Sequence, residues 1–226
     1  MRYERMYEAR FLRRPNRFIA YVDLDGQETI CHVKNTGRCR ELLVPGATVY
    51  IQKADKPERK TQYDLVKVIK GERLINMDSN AANTVFGEFL AKGGLGFVPE
   101  YIKPEFRHGD SRFDFYFEHA DKKAFAEVKG VTLESDGIVR FPDAPTERGI
   151  KHLRGLSQLV RDGYEAYAVF VIQMENVRHF EPNYQTHAAF GQALKQAAEA
   201  GVKILAYECS VGINSLDIKT PVKVIL

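Results

Sequence analysis

Apolar and polar residues alternate in short runs through the first 80 positions, and turn residues separate the runs. Alternation of this kind marks strands that lay one face on a core. Five runs cover 3–11, 18–24, 29–34, 47–53 and 63–69. Asp25-Gly26 supplies a tight hairpin signal, while Pro45-Gly46 and the charged segment DKPERKTQ punctuate the last two runs. Five strands with little helical periodicity predict a small closed barrel, of the oligonucleotide-binding (OB) type or, as the alternative, SH3-like.

Past residue 76 the period changes. Ala82, Val85, Phe86, Phe89 and Leu90 recur at helical spacing over 80–91, with Glu88 on another face. Strand-like stretches follow at 103–107, 112–118 and 124–129, then a loop ending in FPDAP. Helix 146–162 carries Ile150, Leu153, Leu156 and Val160 as its core stripe, with Asp143 as a candidate cap and Pro145 in the first turn. A continuous apolar strand at 166–172, a helix at 184–200 closed by Gly201, a strand at 202–207 and edge strands within 211–226 complete the chain. The order predicts an α/β (α+β) protein. An OB-like barrel over 1–80 precedes a mixed-sheet domain over 81–226, whose central strands are covered by helices on at least one face.

Composition narrows the class. Hydrophobic residues at 44% supply enough apolar surface for a folded core, which excludes a disordered chain. No apolar run reaches the roughly 18 residues of a membrane span, so a cytoplasmic location without membrane partners is expected. Cys31, Cys39 and Cys209 form no CxxC pair and suit a reducing compartment better than disulfides; with His32, their spacing matches no zinc pattern. Residues 1–80 carry 16 Lys+Arg against 11 Asp+Glu, whereas 81–226 carry 17 against 19. The positive field belongs to the barrel and attracts polyanions. The chain lacks the GxGxxG, Walker A and GxSxG patterns, which removes dinucleotide, P-loop and serine-hydrolase chemistry.

The chemistry-bearing pattern is Asp114 in RFDFYF and Glu127-Val128-Lys129 in AFAEVKG. Alternation points Phe113, Phe115 and Phe117 to one face and Asp114 to the other. It also sets Glu127 and Lys129 together. Pairing the two strands as a hairpin through HADKK brings two carboxylates and an ammonium to a common face. Such a set suits a hard cation, magnesium or manganese, that activates water against a phosphodiester, with the lysine orienting or deprotonating that water. A bare match of this kind is more often an ordinary ion-pair cluster. The apolar reverse face and the flanking helices are the context a nuclease core requires.

Five segments, KNTG (34–37), NAANTVFGEFL (80–90), SRFDF (111–115), EVKGVTL (127–133) and FPDAPTERGIKHLRGL (141–156), resemble the sugar fermentation stimulation protein A (SfsA) family of prokaryotes. That resemblance runs over essentially the whole chain. It implies an OB-type barrel joined to a restriction-endonuclease-like PD-(D/E)xK domain, in a family described both as DNA-binding and as a nuclease. It further implies Asp114 and Glu127 as metal ligands, Lys129 as the catalytic lysine and Glu88 as the additional acid contributed by the preceding helix. A solvent-facing helical Glu88 is the plainer alternative. Glu105 is a weaker candidate, since it could equally pair with Arg107 or Arg112.

Arg148, Lys151 and His152 stand at i, i+3, i+4 on helix 146–162, opposite its core stripe, and suit phosphate; a solvated helix face is the common alternative. In the barrel, Lys34, Asn35, Arg38 and Arg40 join Arg13, Arg14, Arg17, Tyr21 and Tyr50 as candidate nucleic-acid contacts. Two functions follow. One is an Mg2+- or Mn2+-dependent endonuclease acting on DNA, with RNA left open; the other is a non-catalytic DNA-binding regulator linked to sugar metabolism. A mere scaffold has no need of clustered carboxylates that repel without a cation, which favours the nuclease.

Overall fold

The structure, a computed structural model, describes every residue except Thr36 and Pro57. The third position of KNTG and the proline of the charged loop therefore lie outside the described residues. The first six strands are β1 (Met6–Arg13), β2 (Ile19–Leu24), β3 (Gln27–Val33), β4 (Thr48–Lys53), β5 (Tyr63–Lys70) and β6 (Arg73–Asn76). They run β3-β2-β1-β4-β5-β6, and a parallel β3–β5 pairing closes the first five into the OB barrel. Asp25 and Gly26 both take positive φ in the β2–β3 turn, as a primed hairpin turn requires. Strand β1 begins at Met6, later than the alternation suggests. Tyr3 instead leaves the barrel, its N–H bonding the carbonyl of Asn214 at 2.8 Å.

The rest of the chain comprises α1 (Ala81–Ala91), β7 (Tyr101–His108), β8 (Ser111–His119), β9 (Lys122–Val131), β10 (Leu133–Ser135), β11 (Ile138–Phe141), α2 (Glu147–Arg161), β12 (Glu165–Ile172), β13 (His179–Pro182), α3 (Tyr184–Glu199), β14 (Lys203–Gly212) and β15 (Ser215–Pro221). A six-stranded sheet runs β15-β14-β12-β9-β8-β7. Its centre, β9-β12-β14, is parallel and its flanks are antiparallel. Parallel strands need crossovers, which α2 and α3 provide, and their apolar sequences need cover. Phe125, Leu153, Leu156 and Phe170 pack on one face of the sheet, Val85, Phe86, Phe117 and Val169 with α1 on the other.

Two local expectations change. The segment read as a loop before FPDAP contains the β10–β11 hairpin, which β13 extends into a third, three-stranded sheet. Strands of three or four residues are too short for alternation to register. Thr146, not Asp143, caps α2: its hydroxyl accepts from Gly149 N–H at 3.0 Å, and Pro145 precedes the helix.

The barrel and the sheet domain are joined by buried polar contacts. Lys67, fully buried on β5, donates to the carbonyls of Gly212, Ile213 (3.0 Å) and Ser215 (2.9 Å) in the β14–β15 turn. Gln173 Nε2 reaches the carbonyls of Asn76 and Asp78, each at 3.0 Å, and Asn76 Oδ1 at 2.9 Å. Glu134 on β10 accepts from Lys70 at 3.0 Å, from Arg73 and from Gly137 N–H at 2.6 Å. Burial alone would raise the Glu134 carboxyl, but these donors hold it below the ordinary value of 4.5.

Replacing Glu134 by Gln is expected to cost about 2–3 kcal/mol near neutrality, less than a fully buried pair because both cations keep some solvent. A carboxyl held low in the fold stabilises above its unfolded pKa and loses that contribution as pH falls through the folded one. Denaturant titrations of the two proteins should therefore differ at pH 7 and converge well below pH 4.5; a gap that persists in acid would refute the ionic account.

Candidate active site

Strands β8 and β9 pair only as far as Phe115↔Ala126. Beyond that point the Asp114 side chain replaces the ladder, Oδ2 accepting from Val128 N–H at 2.7 Å. Asp114 Oδ1 accepts from Asn83 Nδ2 of α1 at 2.9 Å. The alternation also breaks here. Phe113 packs on Phe125 and toward Gly155, the α2 side of the sheet, rather than with Phe115 and Phe117.

On β9 the alternation holds, with Ala124, Ala126 and Val128 toward α1 and Glu127 with Lys129 on the α2 side. Glu127 is 4% exposed. Its Oε1 takes contacts from Lys129 Nζ and His152 Nδ1, whereas its Oε2 is buried without a hydrogen-bond partner. Arg148 Nε lies 3.4 Å from His152 Nε2, on the ring edge opposite the Nδ1 that meets Glu127. Burial, then the charge of Glu127, pushes the Asp114 carboxyl above its ordinary range. Glu127 goes the other way: burial opposes ionisation, but His152 and Lys129 outweigh it and hold the carboxyl low.

Asp114, Glu127 and Lys129 line one cleft of about 560 Å³. Its other walls are Arg17, Asn35 and Gly37 of the barrel, Ser79 before α1, Gln173, the 140–146 loop and Arg148 at the start of α2. The barrel loop closes on it: Arg38 N–H donates to Asp143 Oδ2 at 3.0 Å, and any Cβ on Gly37 would lie 2.2 Å from that oxygen. Any larger residue there would have to displace the Asp143 carboxylate from that contact.

The remaining candidates separate. Glu88 is not in the cleft; it is 42% exposed by side chain and pairs with the Met1 amine at 2.9 Å. Asn83, five residues earlier and therefore about 140° around the helix, is the α1 side chain that reaches Asp114. Glu105 pairs with Arg112 at 2.9 Å on the surface. His152 is buried against Glu127 instead of sharing a solvent face with Lys151, which is exposed and outside the cleft. Lys34 is spent on Asp64 and Asp78, Asn35 lines the cleft, and Arg38 and Arg40 line an adjoining groove. Tyr50 donates to Glu8 at 3.2 Å, and neither it nor Tyr21 lines the cleft or that groove. Among the described residues no three His, Cys, Asp or Glu side chains gather in metal-ligand geometry. The buried Glu127 and the half-buried Asp114 make two carboxylates, a number that suits a cation keeping several waters. Sequence reasoning overlooked Asn83 and Gln173, since neutral amides on a helix and at a strand end carry no pattern of their own.

Residues 12–77 match the SfsA N-terminal OB domain and residues 80–215 the sugar fermentation stimulation protein RE domain. The chain is 57% identical to the sugar fermentation stimulation protein homolog of Clostridium beijerinckii over all of both chains. It is 59% identical to that of Desulfitobacterium hafniense, over 96% of this chain and 95% of the relative. The structure of Pyrococcus furiosus SfsA in complex with Ca2+ superimposes with a TM-score of 0.90 at 29% identity, covering 100% of this chain and 98% of that one. No helix of the described residues is long and apolar enough to cross a membrane.

Burial and the charge of Glu127 both work against the ionised Asp114 carboxylate, and Lys129 offsets them only in part. Asp114→Asn is therefore expected to stabilise the protein in chelating buffer by about 1 kcal/mol, or roughly 2–4 °C in melting temperature for a chain of this size. Asn83 need only turn its amide to present oxygen. An unchanged or lowered melting temperature would refute the repulsion.

Proposed function

The chain belongs to the sugar fermentation stimulation protein family, and on that premise we propose that it is a divalent-cation-dependent endonuclease hydrolysing phosphodiester bonds of DNA, with RNA as a second polymer to be tested. The observation that carries this reading is the unpartnered Oε2 of Glu127, buried beside Asp114 at the base of a cleft. A buried carboxylate oxygen without a donor is costly, and a bound cation removes that cost.

Asp114 and Glu127 would hold the ion. Oxygen donors select a hard cation, and the relative from Pyrococcus furiosus is described with Ca2+, a cation of that class. Magnesium or manganese at the pair supplies Lewis-acid charge against the phosphate and favours ionisation of the attacking water. Asn83 and Val128 N–H fix the Asp114 carboxylate, and His152 fixes Glu127. Lys129, lining the cleft with its ammonium on Glu127 Oε1, orients the water and takes part of the charge that develops at phosphorus. Arg148 also lines the cleft, where a nonbridging phosphate oxygen meets its positive charge, whereas Arg140 lines it paired with Glu181 at 2.6 Å. The OB barrel, whose Asn35 and Gly37 form another wall, keeps the polymer in register with that chemistry.

Labelled single- and double-stranded DNA and RNA, incubated with Mg2+ or Mn2+, should be cut internally, and EDTA should stop the reaction. Asp114→Ala, Glu127→Gln and Lys129→Ala should each lower the rate by at least about 100-fold. Mn2+ titration calorimetry should lose its heat in Asp114→Ala and keep it in Glu88→Gln. Cleavage that survives EDTA and the substitutions would end the proposal. Tight DNA binding with no cleavage under any metal would leave the regulator.

A further inference from the structure

A second groove, about 630 Å³, opens from the cleft onto the barrel and shares Arg17 and Gly37 with it. Its sides are the turn after β1 and the loop after β3. Five arginines line it, and they are not equivalent. Arg13 is spent in a two-pronged pair with Glu28, its guanidinium 3.8 Å from the Tyr21 ring centroid. Arg14 is spent on four backbone carbonyls, those of Arg17, Asn35, Gly37 and Arg38, at 2.7–3.0 Å. It staples the two loops together and thereby shapes the groove.

Arg17, Arg38 and Arg40 are exposed and have no acidic partner among the described residues. Arg17 lies 4.9 Å from the ring centroid of Phe18, itself 45% exposed. The floor between them is apolar, from Leu12, Leu43 and Pro45. The anionic group beside it, Asp143, already accepts the Arg38 N–H.

We infer that this groove is a strand-binding extension of the cleft, taking the single-stranded continuation of the nucleic acid whose phosphodiester sits at Asp114 and Glu127. The inference rests on the nuclease reading for its register and adds the substrate class. A single strand offers phosphates to a cationic rim and unstacked bases to an apolar floor together, whereas a duplex hides its bases and leaves that floor unused. Next to Arg17, which lines both the groove and the cleft, the exposed Phe18 ring offers bases a stacking surface.

Binding is read by fluorescence anisotropy in EDTA with fluorescein-labelled oligothymidylates of 3 and 12 nucleotides and a blunt duplex of the longer length. The full-length protein should bind the longer strand roughly 30-fold tighter than the shorter one. Arg17→Gln/Arg38→Gln/Arg40→Gln should bring that ratio to about 3 and reduce the salt slope by about 2, the release expected from three single-strand phosphates. Arg40→Glu alone should shift the ratio in the same direction, guarding against misfolding of the triple variant. A triple variant that keeps the length dependence and slope overturns the groove. Equal loss on the duplex overturns the single-strand assignment. Because no cleavage is measured, a protein that shows the length dependence yet never cuts in Mg2+ or Mn2+ overturns the nuclease reading and leaves the groove standing.

Discussion

A carboxylate placed within a packed sheet costs several kcal/mol unless charge and hydrogen bonds are arranged around it. Glu127 occupies such a position on β9, flanked by the parallel strand β12. Lys129 and His152 satisfy one of its oxygens and keep it ionised, while Oε2 has no protein donor. Much of the local structure follows from that arrangement. Asp114 stops the β8–β9 ladder to face the same cleft, Asn83 and Val128 hold it there, and α2 is set so that His152 enters the interior. The polypeptide tolerates repulsion between Asp114 and Glu127 in that cleft.

The second constraint is the joint between barrel and sheet domain. Lys67, Glu134, Gln173 and Asn76 are buried polar groups whose partners lie across that joint. Each would be expensive if the domains separated, since donors and acceptors would lose specific partners together. The joint therefore holds Asn35 and Gly37 of the barrel against the cleft, where Gly37 lies close to the Asp143 carboxylate. The barrel is thus one wall of the site.

Strand alternation and helical period made much of this legible in the chain. The five barrel strands, the β8–β9 hairpin and the two crossover helices follow from local periodicity, because a residue's face is set by its neighbours a few positions away. The same rule set Glu127 and Lys129 side by side. It failed where the backbone departs from regularity, as at Phe113, or where an element is too short to show a period, as in β10–β11. Glu88 is the acid that the family resemblance implies on α1, but the α1 side chain that reaches Asp114 is a neutral amide, Asn83, on a different face. The helical spacing groups His152 with Arg148 and Lys151 in a phosphate-binding stripe opposite the core, yet it turns inward because a buried carboxylate supplies the acceptor it needs.

The sequence by itself determined which residues alternate on strands, which stripes are apolar and which segments carry the acids, lysine and arginines, since these are properties of chain neighbours. Only the tertiary structure decided which of those charges are free. Arg14 and Arg17 read alike along the chain, but folding spends one on four carbonyls and leaves the other exposed at the mouth of the cleft. Partners of that kind come from segments far apart in sequence, and no local period encodes them.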